Sequence, residues 1–455
     1  MTSLFARHAF LPQGWCDDVL LEWDANGTLT TATPNARAED ADESAQLVVP
    51  GMVNLHSHAF QRALAGLTEK GGDSPDSFWT WRELMYRFAR HITPLQMESI
   101  AAQLYVECLR HGYTSVCEFH YIHRDPNGEM YTPPAETAER VIAAAALAGI
   151  GMTMLPVLYT HSGFGEQPLK QEQLRFRTDA RDILRIIDAL EPLRSARVEV
   201  GVAPHSLRAA SAAEILRVLQ TVPKNRPVHI HIAEQQGEVE QSLAYSGKRP
   251  VRYLLDEIGI DRRWCLVHAT HLSPDEVDDI ARSGAVVGLC PTTEANLGDG
   301  LFPLAPYLSE GGYFGIGSDS HVSQSPIEEL RWLEYGQRLQ HQRRNIACTA
   351  GERQVGDFLW RAALEGGARA SGRPVGALES GRRADLLVLD AEHPNLYGTA
   401  KDAILGTLIF SGNDNLVRDV LVGGNWLVRR GVHSAQDVIA QRFRQTIDEL
   451  RRIPS

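Results

Sequence analysis

The sequence lacks the features that would place it in several large classes of protein. Its six cysteines are scattered and form no CxxC pair, which argues against a disulfide framework and suits a reducing compartment. No GxGxxG motif follows the first strand candidate of the central region, so a dinucleotide-binding open sheet lacks support. The formal net charge is -12, which argues against general binding to nucleic acid or to membrane surfaces.

The sequence also has no pattern typical of a leader segment or of a membrane span. The N-terminus has no charged region followed by an apolar stretch, so we expect no signal peptide and a cytoplasmic protein. One almost wholly apolar stretch, Val141–Tyr159, is interrupted by Gly149, Gly151 and Pro156. Its first half is rich in alanine and its second half resembles a strand. A buried helix followed by a buried strand is therefore expected in place of a span.

The composition that is present belongs to a folded protein with more than one core. The chain has 455 residues, of which 43% are hydrophobic and 22% charged, and that length favours a large domain with a smaller accessory one. Both chain ends have β-like patterns with glycine-containing turns, as in Val19–Thr33 and Val420–Val428. We predict that residues 1–48 and 376–455 form one small β-sandwich domain with a terminal helix, around a central domain of residues 49–375.

Short apolar strands alternate with amphipathic helices throughout the central region. Many of the strand candidates are near-continuous hydrophobic runs, as in strands buried on both faces. Eight strand–helix repeats predict an α/β fold, a closed parallel (β/α)8 barrel of the TIM type, with an open doubly wound sheet as the alternative. The strand candidates are Leu47–His56, Tyr113–Tyr121, Gly151–Tyr159, Arg197–Ser206, Pro227–Glu234, Arg263–Thr270, Ala285–Glu294 and Tyr313–His321.

Polar residues stand at the C-terminal ends of these strands, where the active sites of such barrels lie. The first strand candidate ends near His56 and His58, whose side chains share one face because strand residues alternate. His231 and His268 stand near the ends of the fifth and sixth strands, and Asp319 near the end of the eighth. Each residue alone has an ordinary structural explanation. Their joint occurrence at one face is hard to obtain by chance and predicts a metal site.

Two segments relate this pattern to a known family. Val49–His58 (VPGMVNLHSH) resembles the opening metal motif of the amidohydrolase superfamily, and Gly381–Asp390 (GRRADLLVLD) resembles the strand that re-enters that family's small β domain. The resemblance covers nearly the whole chain. It implies a metal-dependent hydrolase with the following metal ligands: His56, His58, His231 and Asp319.

The implied ligands suit one borderline divalent ion, and zinc best of all. Three imidazoles and one carboxylate leave room for a bound water, as a catalytic site requires. Two-metal members of the superfamily bridge their ions with a modified lysine on the fourth strand, and the fourth-strand segment Arg197–His205 contains no lysine. We therefore expect one divalent metal ion per chain.

The resemblance also implies a catalytic set of Glu234, His268 and Asp319. Glu234 follows His231 by three residues, as does the glutamate of the superfamily's deaminases, which moves a proton to the attacked or leaving nitrogen. His268 resembles the sixth-strand histidine that orients and deprotonates the metal-bound water, whose pKa a metal can lower to about 7. A surface or structural carboxylate is the alternative interpretation of Glu234.

Three further segments narrow the resemblance to one group of enzymes. His56–Gly66 (HSHAFQRALAG), Phe78–Met85 (FWTWRELM) and Ala203–Arg208 (APHSLR) are similar to the N-formimino-L-glutamate deiminases, which act on a linear amidine in histidine degradation. The resemblance implies hydrolysis of N-formimino-L-glutamate to N-formyl-L-glutamate and ammonia, by attack of metal-activated water on the formimino carbon. The implied substrate-binding residues are Gln61, Arg82, Tyr121, His205 and Arg208.

The charge of this substrate agrees with the residues. It has two carboxylates and a cationic formimino group, and arginine is geometrically suited to hold carboxylates. For Arg82 or Arg208 taken alone, a salt bridge to a neighbouring helix explains the residue equally well. The expected partner is thus a small dicarboxylate molecule, and a homodimer is the assembly considered.

Two other functions stay open from the sequence alone. Another aminohydrolase of the superfamily could act on a purine, pyrimidine or triazine ring, but such pockets favour stacking aromatics and amide groups over two arginines. A barrel used only for binding is the alternative from a different class, and the full ligand set beside Glu234 and His268 argues against it. A substrate panel, metal content and ammonia release would discriminate among these functions.

Overall fold

The computed structural model describes residues 2–69 and 78–452. The helices are α1 (Phe78–Ala89), α2 (Pro94–His111), α3 (Glu136–Ala148), α4 (Ala180–Leu190), α5 (Ala212–Thr221), α6 (Gln236–Ser246), α7 (Pro250–Glu257), α8 (Pro274–Ser283), α9 (Pro291–Leu297), α10 (Leu304–Ser309), α11 (Pro326–His341), α12 (Val355–Ser371), α13 (Ile404–Phe410) and α14 (Gln436–Leu450). Short 3₁₀ helices cover Ala38–Asp40, Ala59–Leu64, Gln171–Phe176, Glu191–Leu193 and Lys401–Ala403.

The strands belong to two groups, one from the chain ends and one from the centre. The end strands are β1 (Thr2–Leu11), β2 (Gly14–Trp23), β3 (Leu29–Thr33), β4 (Glu43–Pro50), β14 (Leu386–Leu389), β15 (Val417–Val422), β16 (Asn425–Arg429) and β17 (Val432–His433). The central strands are β5 (Met52–Ser57), β6 (Tyr113–His120), β7 (Gly151–Leu158), β8 (Val198–Val200), β9 (Ala203–Pro204), β10 (Val228–Ile232), β11 (Trp264–His268), β12 (Val286–Leu289) and β13 (Tyr313–Ile316).

Both chain ends contribute to one mixed eight-stranded sheet. Its order is β17-β16-β15-β14-β4-β1-β2-β3, and β4 links the halves by pairing parallel with β1 and antiparallel with β14. The turn between β2 and β3 lies against the turn between β15 and β16: a Cβ at Gly27, where φ is +75°, would collide with the carbonyl of Gly423. The two outer parts of the sheet therefore approach each other over a separate buried cluster that includes Leu4, Leu21 and Leu421.

The central strands form a closed ring of parallel strands. Strands β5 to β8 pair in sequence, as do β10 to β13, and β9 continues the fourth position beyond Gly201. Backbone bridges from Val202 to Val228 and from Ser57 to Asp319 join the two sheets on both sides. The eight positions occupy the places predicted for a (β/α)8 barrel, and the curled parallel sheet is consistent with a TIM-like barrel.

Several predicted strands are shorter or divided. The candidate Leu47–His56 spans the end of β4 and most of β5, because the chain leaves one sheet for the other at Gly51, where a Cβ would collide with the Thr114 side chain. The candidate Ala285–Glu294 ends at Leu289, and Glu294 lies in α9 because Pro291 begins a helix there.

The helices match their sequence patterns more closely. Helix α2 begins after Thr93, whose side chain and backbone exchange hydrogen bonds with Gln96, and it ends at His111, where Gly112 caps it in the left-handed conformation. The apolar stretch Val141–Tyr159 is the end of α3, which is buried on one face and exposes Leu147 on the other, followed by the expected buried strand β7. All six cysteines are free. Among the helices of the described residues, none combines the length and apolar character needed to cross a membrane.

Candidate metal centre and active site

Four side chains converge at the C-terminal ends of the barrel strands. The ligand atoms of His56, His58, His231 and Asp319 all lie within 4.8 Å of one another, and all four residues are buried. The His56 Nε2 lies 3.1 Å from the His58 Nε2 and 3.0 Å from the His231 Nε2. The Asp319 Oδ1 lies 3.4 Å from the His56 Nε2 and 3.3 Å from the His58 Nε2. The structure thus brings together the whole set that the sequence resemblance implied.

The hydrogen bonds behind two of these histidines determine which nitrogen faces the centre. The His58 Nδ1 lies 2.9 Å from the Phe119 carbonyl oxygen, and the His231 Nδ1 lies 3.0 Å from the His205 carbonyl oxygen. A carbonyl oxygen only accepts, so each Nδ1 donates and each neutral ring presents a bare Nε2 lone pair to the centre. Lone pairs that converge beside a carboxylate repel one another unless a cation lies between them. The donor set therefore fits a divalent metal ion.

The protonation of the three imidazoles points the same way. Burial is the largest cause that lowers the pKa of His56, His58 and His231, and for His56 and His231 it is lowered well below the ordinary range. Neighbouring imidazoles add to this effect. Neutral imidazole is the form that coordinates a metal.

The backbone at the strand ends adopts a conformation that non-glycine residues rarely take. Ala233, His268, Asp319 and His321 have φ values of 50°, 68°, 45° and 62°. Hydrogen bonds hold this geometry, for example from the Asp319 N–H to the His56 carbonyl at 3.0 Å. Strain of this kind persists where the surrounding structure enforces it and is frequent at functional sites. Two of the four residues, Asp319 and His268, belong to the metal group or lie beside it.

A buried polar network lies under the first metal-binding strand. Glu118 accepts hydrogen bonds from the Ser57 hydroxyl (2.6 Å), the Ala59 N–H (2.6 Å) and the Tyr105 hydroxyl (3.0 Å). The backbone N–H of His58 donates to the His321 Nε2 at 3.2 Å. Burial raises the pKa of Glu118 to about 7, although its three donors lower it. The network fixes the backbone on both sides of His58.

His268 stands beside the metal group, between carboxylates on two sides. Its Nε2 lies 3.8 Å from an oxygen of Glu234 and 3.8 Å from the Asp319 Oδ2, and its Nδ1 lies 3.3 Å from the Glu294 Oε1. The carboxylates, led by Glu234, outweigh the effect of burial and raise the pKa of His268. Burial raises the pKa of Glu234 to about 7. Two buried groups that can exchange protons thus flank the metal centre.

A pocket opens from the metal centre toward the barrel mouth and contains every predicted substrate-binding residue. All five of these residues line it: Gln61, Arg82, Tyr121, His205 and Arg208. Arg82 and Arg208 both lie near His205 and Tyr159. Burial is the largest cause that lowers the pKa of His205, and the charges of the two arginines lower it further. The same charges oppose the rise that burial causes in the pKa of Tyr159. The pocket therefore has a cationic side.

The amide of Gln61 and the hydroxyl of Tyr121 form a second polar side of this pocket. The Gln61 Nε2 donates to the Tyr121 hydroxyl at 2.9 Å, and the Gln61 Oε1 is buried without a hydrogen-bond partner among the described residues. Six further residues of the pocket wall were not predicted from the sequence: Trp81, Met85, Tyr86, Tyr159, Phe176 and Leu297. Two of the six, Trp81 and Met85, lie in the family-matching segment Phe78–Met85.

Other strand-end histidines do not join the metal group. His161, after the third strand, lies 3.3 Å from Glu214 in a neighbouring cavity. His120 pairs with the Thr137 hydroxyl at 3.0 Å behind the second strand. Sequence position alone did not separate these histidines from the metal group, since the side-chain direction at a strand end depends on the local backbone.

Comparisons with known proteins agree with this geometry. A model of the amidohydrolase family matches residues 47–427, and one described as the N-terminal domain of formimidoylglutamate deiminase HutF matches residues 1–46. The chain is 52% identical over 451 residues to a formimidoylglutamate deiminase of Pseudomonas aeruginosa, a match that covers 99% of this chain and all of the relative.

Solved structures of two further proteins share the fold. An amidohydrolase from Brucella melitensis superposes with a TM-score of 0.94 at 45% identity, covering 99% of this chain and 100% of that one. An adenosine deaminase from Xanthomonas campestris with bound zinc has a TM-score of 0.81 at 22% identity, covering 99% of each chain, and supports the fold alone. The chain therefore belongs to the amidohydrolase family. Within that family, the resemblance to the N-formimino-L-glutamate deiminases is confirmed.

Proposed function

We propose that this chain is a hydrolase that converts N-formimino-L-glutamate and water to N-formyl-L-glutamate and ammonia in histidine degradation. The observation that carries the proposal is the 52% identity to a formimidoylglutamate deiminase over the full length of both chains. The N-terminal match to the same kind of enzyme supports it independently of the barrel.

We infer that one zinc ion is the resident metal. The converging lone pairs of His56, His58 and His231 beside the Asp319 carboxylate support a borderline divalent cation with nitrogen and oxygen ligands. Within the fourth-strand segment Arg197–His205 no lysine is present to bridge a second ion. When bound, such an ion supplies a water whose pKa is lowered to about 7.

The protein groups beside this centre suit the proton transfers of the reaction. The reaction forms a C–O bond at the formimino carbon and breaks its bond to the terminal nitrogen, which leaves as ammonia. His268 accepts the proton of the attacking water, while Asp319 orients that water. Glu234 delivers a proton to the departing nitrogen, a role that the pKa of about 7 favours because the group can donate and recover a proton near neutrality.

The cationic side of the pocket supports the glutamate part of the substrate. We assign the two carboxylates to Arg82 and Arg208, since guanidinium groups bind carboxylates with two parallel hydrogen bonds. Gln61, Tyr121 and His205 would complete the contacts to the substrate. The pocket wall is also rich in aromatic side chains, which suit a ring substrate. An uncharged base, however, offers no carboxylate for the two arginines to bind.

Four broader features are proposed along with the activity. The close approach of Gly27 and Gly423 supports a small sandwich formed by both chain ends, with the domain division at residues 1–48, 49–375 and 376–455. Six free cysteines support a cytoplasmic location. A homodimer is the assembly to test, by light scattering of the purified protein.

The decisive experiment measures ammonia release from N-formimino-L-glutamate beside guanine, cytosine and adenosine. We expect turnover of the first substrate alone. Preferential turnover of a ring compound would replace this proposal with a ring aminohydrolase, and a protein that binds metal but turns over none of the four would point to a binding barrel.

A further inference from the structure

The helix that follows the seventh barrel strand contributes a carboxylate that the proposed reaction does not yet use. Glu294 lies on α9, directly after that strand, and is 6% exposed. Its Oε1 lies 3.3 Å from the His268 Nδ1 and accepts a hydrogen bond from the Cys290 N–H at 2.9 Å. It therefore contacts the ring nitrogen of His268 that faces away from Glu234 and Asp319.

The chemistry of this contact determines the tautomer of His268. The Glu294 Oε1 accepts the Cys290 N–H, so it is an acceptor toward His268 as well, and the His268 Nδ1 carries the proton that it donates to Glu294. The neutral ring then has a bare Nε2, aimed between Glu234 and Asp319. That is the form needed to accept a proton on the side of the metal centre, and the carboxylate behind it stabilises the positive ring that results.

The helix that carries Glu294 is held firmly in place. The N–H and hydroxyl of Thr292 donate to Glu329 at 2.9 and 2.6 Å. The Thr293 hydroxyl donates to the Ser318 carbonyl at 3.2 Å, next to Asp319 in the chain. The helix is thus tied to the segment that positions Asp319, so Glu294, His268 and the metal group keep one relative geometry.

We propose that Glu294 is a positioning residue that fixes the tautomer and orientation of His268 and so keeps its Nε2 ready to accept a proton. The inference rests on the proposed function for its kinetic test, but its spectroscopic test needs no substrate. It assigns a role to α9, the helix after the seventh strand.

The spectroscopic test uses the full-length protein labelled with ¹⁵N-histidine. The His268 ring is identified by the signals that disappear in His268→Asn. We expect the ring, followed above the pH at which it becomes neutral, to carry its proton on Nδ1 in the native protein, and to lose that preference in Glu294→Leu, which removes the acceptor facing Nδ1. A neutral native ring protonated only on Nε2, or a tautomer unchanged in Glu294→Leu, would overturn the proposal whatever substrate the enzyme uses.

The kinetic test is a double-mutant cycle on the substrate that the native enzyme turns over. Glu294→Leu should lower kcat roughly 10–100-fold, with KM and metal content unchanged. In the His268→Asn background the same substitution should change kcat by no more than about threefold, because its target is gone. Glu329→Leu is the matched control: it disturbs the same helix without contacting His268, so its effect should be the same in both backgrounds. Equal losses for Glu294→Leu in both backgrounds would mean that Glu294 is only structural.

Discussion

Glu234 has the surroundings of a group that moves protons. It is 4% exposed, it faces the His268 Nε2 at 3.8 Å, and burial brings its pKa to about 7. Structural carboxylates in this chain look different: Glu118, for example, is surrounded by three donors that favour a fixed position. The contrast supports a catalytic role for Glu234 over the structural alternative that its sequence position left open.

Replacing Glu234 by glutamine should keep the fold and the metal but remove most turnover. The amide has the same shape and cannot carry the proton, and positioned proton transfer contributes about 10²–10⁴-fold. Steady-state kcat and elemental analysis of Glu234→Gln measure the two effects. Glu240→Gln, on the exposed side of the following helix, is the matched control and should behave as native. Near-normal kcat in Glu234→Gln would exclude the proton-transfer role.

Arg208 is the residue on which the choice of substrate class depends most. It is 7% exposed and lines the pocket. Removing Arg208 would leave a substrate carboxylate buried without its partner, at a cost of about 2–5 kcal/mol, or roughly thirty-fold to several thousand-fold in kcat/KM. Arg208→Lys should rescue only in part, because an ammonium cannot make the planar two-pronged contact.

The measurement is kcat and KM of Arg208→Ala and Arg82→Ala on N-formimino-L-glutamate. We expect KM to rise and kcat to fall, since misplacing the formimino carbon by about 1 Å can cost roughly 10²-fold. Arg217→Ala, an exposed arginine on α5, is the control. Native constants for both pocket variants would remove the main physical support for a dicarboxylate substrate.

At the scale of strands and helices, the sequence predicts the alternation well and the junctions less well. Hydrophobic runs located all eight barrel positions because strands buried on both faces need apolar residues throughout. The change of sheet at Gly51 depends on contact with Thr114, sixty-odd positions along the printed sequence, and no local pattern reports such a contact. Glu294 was placed in a strand because the helix start at Pro291 was missed, whereas its contact with His268 is one that only the fold brings about.

The site shows the same division between pattern and contact. The metal ligands were implied by a motif that is continuous in sequence at His56 and His58. The aromatic wall, including Tyr159 and Phe176, was missed because aromatic residues in a buried strand or loop look like ordinary core residues until the pocket is seen. The tautomers of His58 and His231 depend on carbonyl groups of neighbouring strands, which a sequence does not locate.

The protein should bind its metal less tightly when the hydrogen bonds between Glu118 and the first barrel strand are weakened. In the native protein the two carboxylate oxygens of Glu118 accept from three donors. In Glu118→Gln one of these oxygens becomes an NH₂ group, which is itself a donor and therefore repels at least one of the three. We expect the affinity for zinc to fall about 10–100-fold, as for other supporting residues of metal sites. Zinc competition with a chromogenic chelator measures it. Glu107→Gln, a half-buried carboxylate paired with Arg62 outside this network, is the control, and equal affinities in both variants would contradict the role of Glu118.

At the scale of the whole molecule, the metal group lies at one end of the ring of barrel strands, and hydrogen bonds close the ring at that same end. The bridge that joins the last strand to the first runs between Ser57 and Asp319, so the closure of the barrel and the assembly of the metal group depend on the same few residues. The small sheet, which both chain ends form, lies outside this ring because its strand β4 ends before Gly51. It packs on a core cluster of its own. Loss of the metal should therefore weaken the barrel more directly than the small sheet.

The metal content of the purified protein tests this arrangement as a whole. We expect close to one divalent ion per chain by elemental analysis, with zinc as the main metal. A ligand that binds only the folded state adds about 4 kcal/mol of stability when its free concentration is a thousand times its Kd. Chelation should therefore lower Tm and abolish ammonia release, and zinc should restore both. His231→Asn should lose the ion, whereas His161→Asn, a strand-end histidine outside the group, should retain it. Two ions per chain in fully active protein would overturn the single-metal site, and retention of the ion by His231→Asn would show that a different set of side chains holds it.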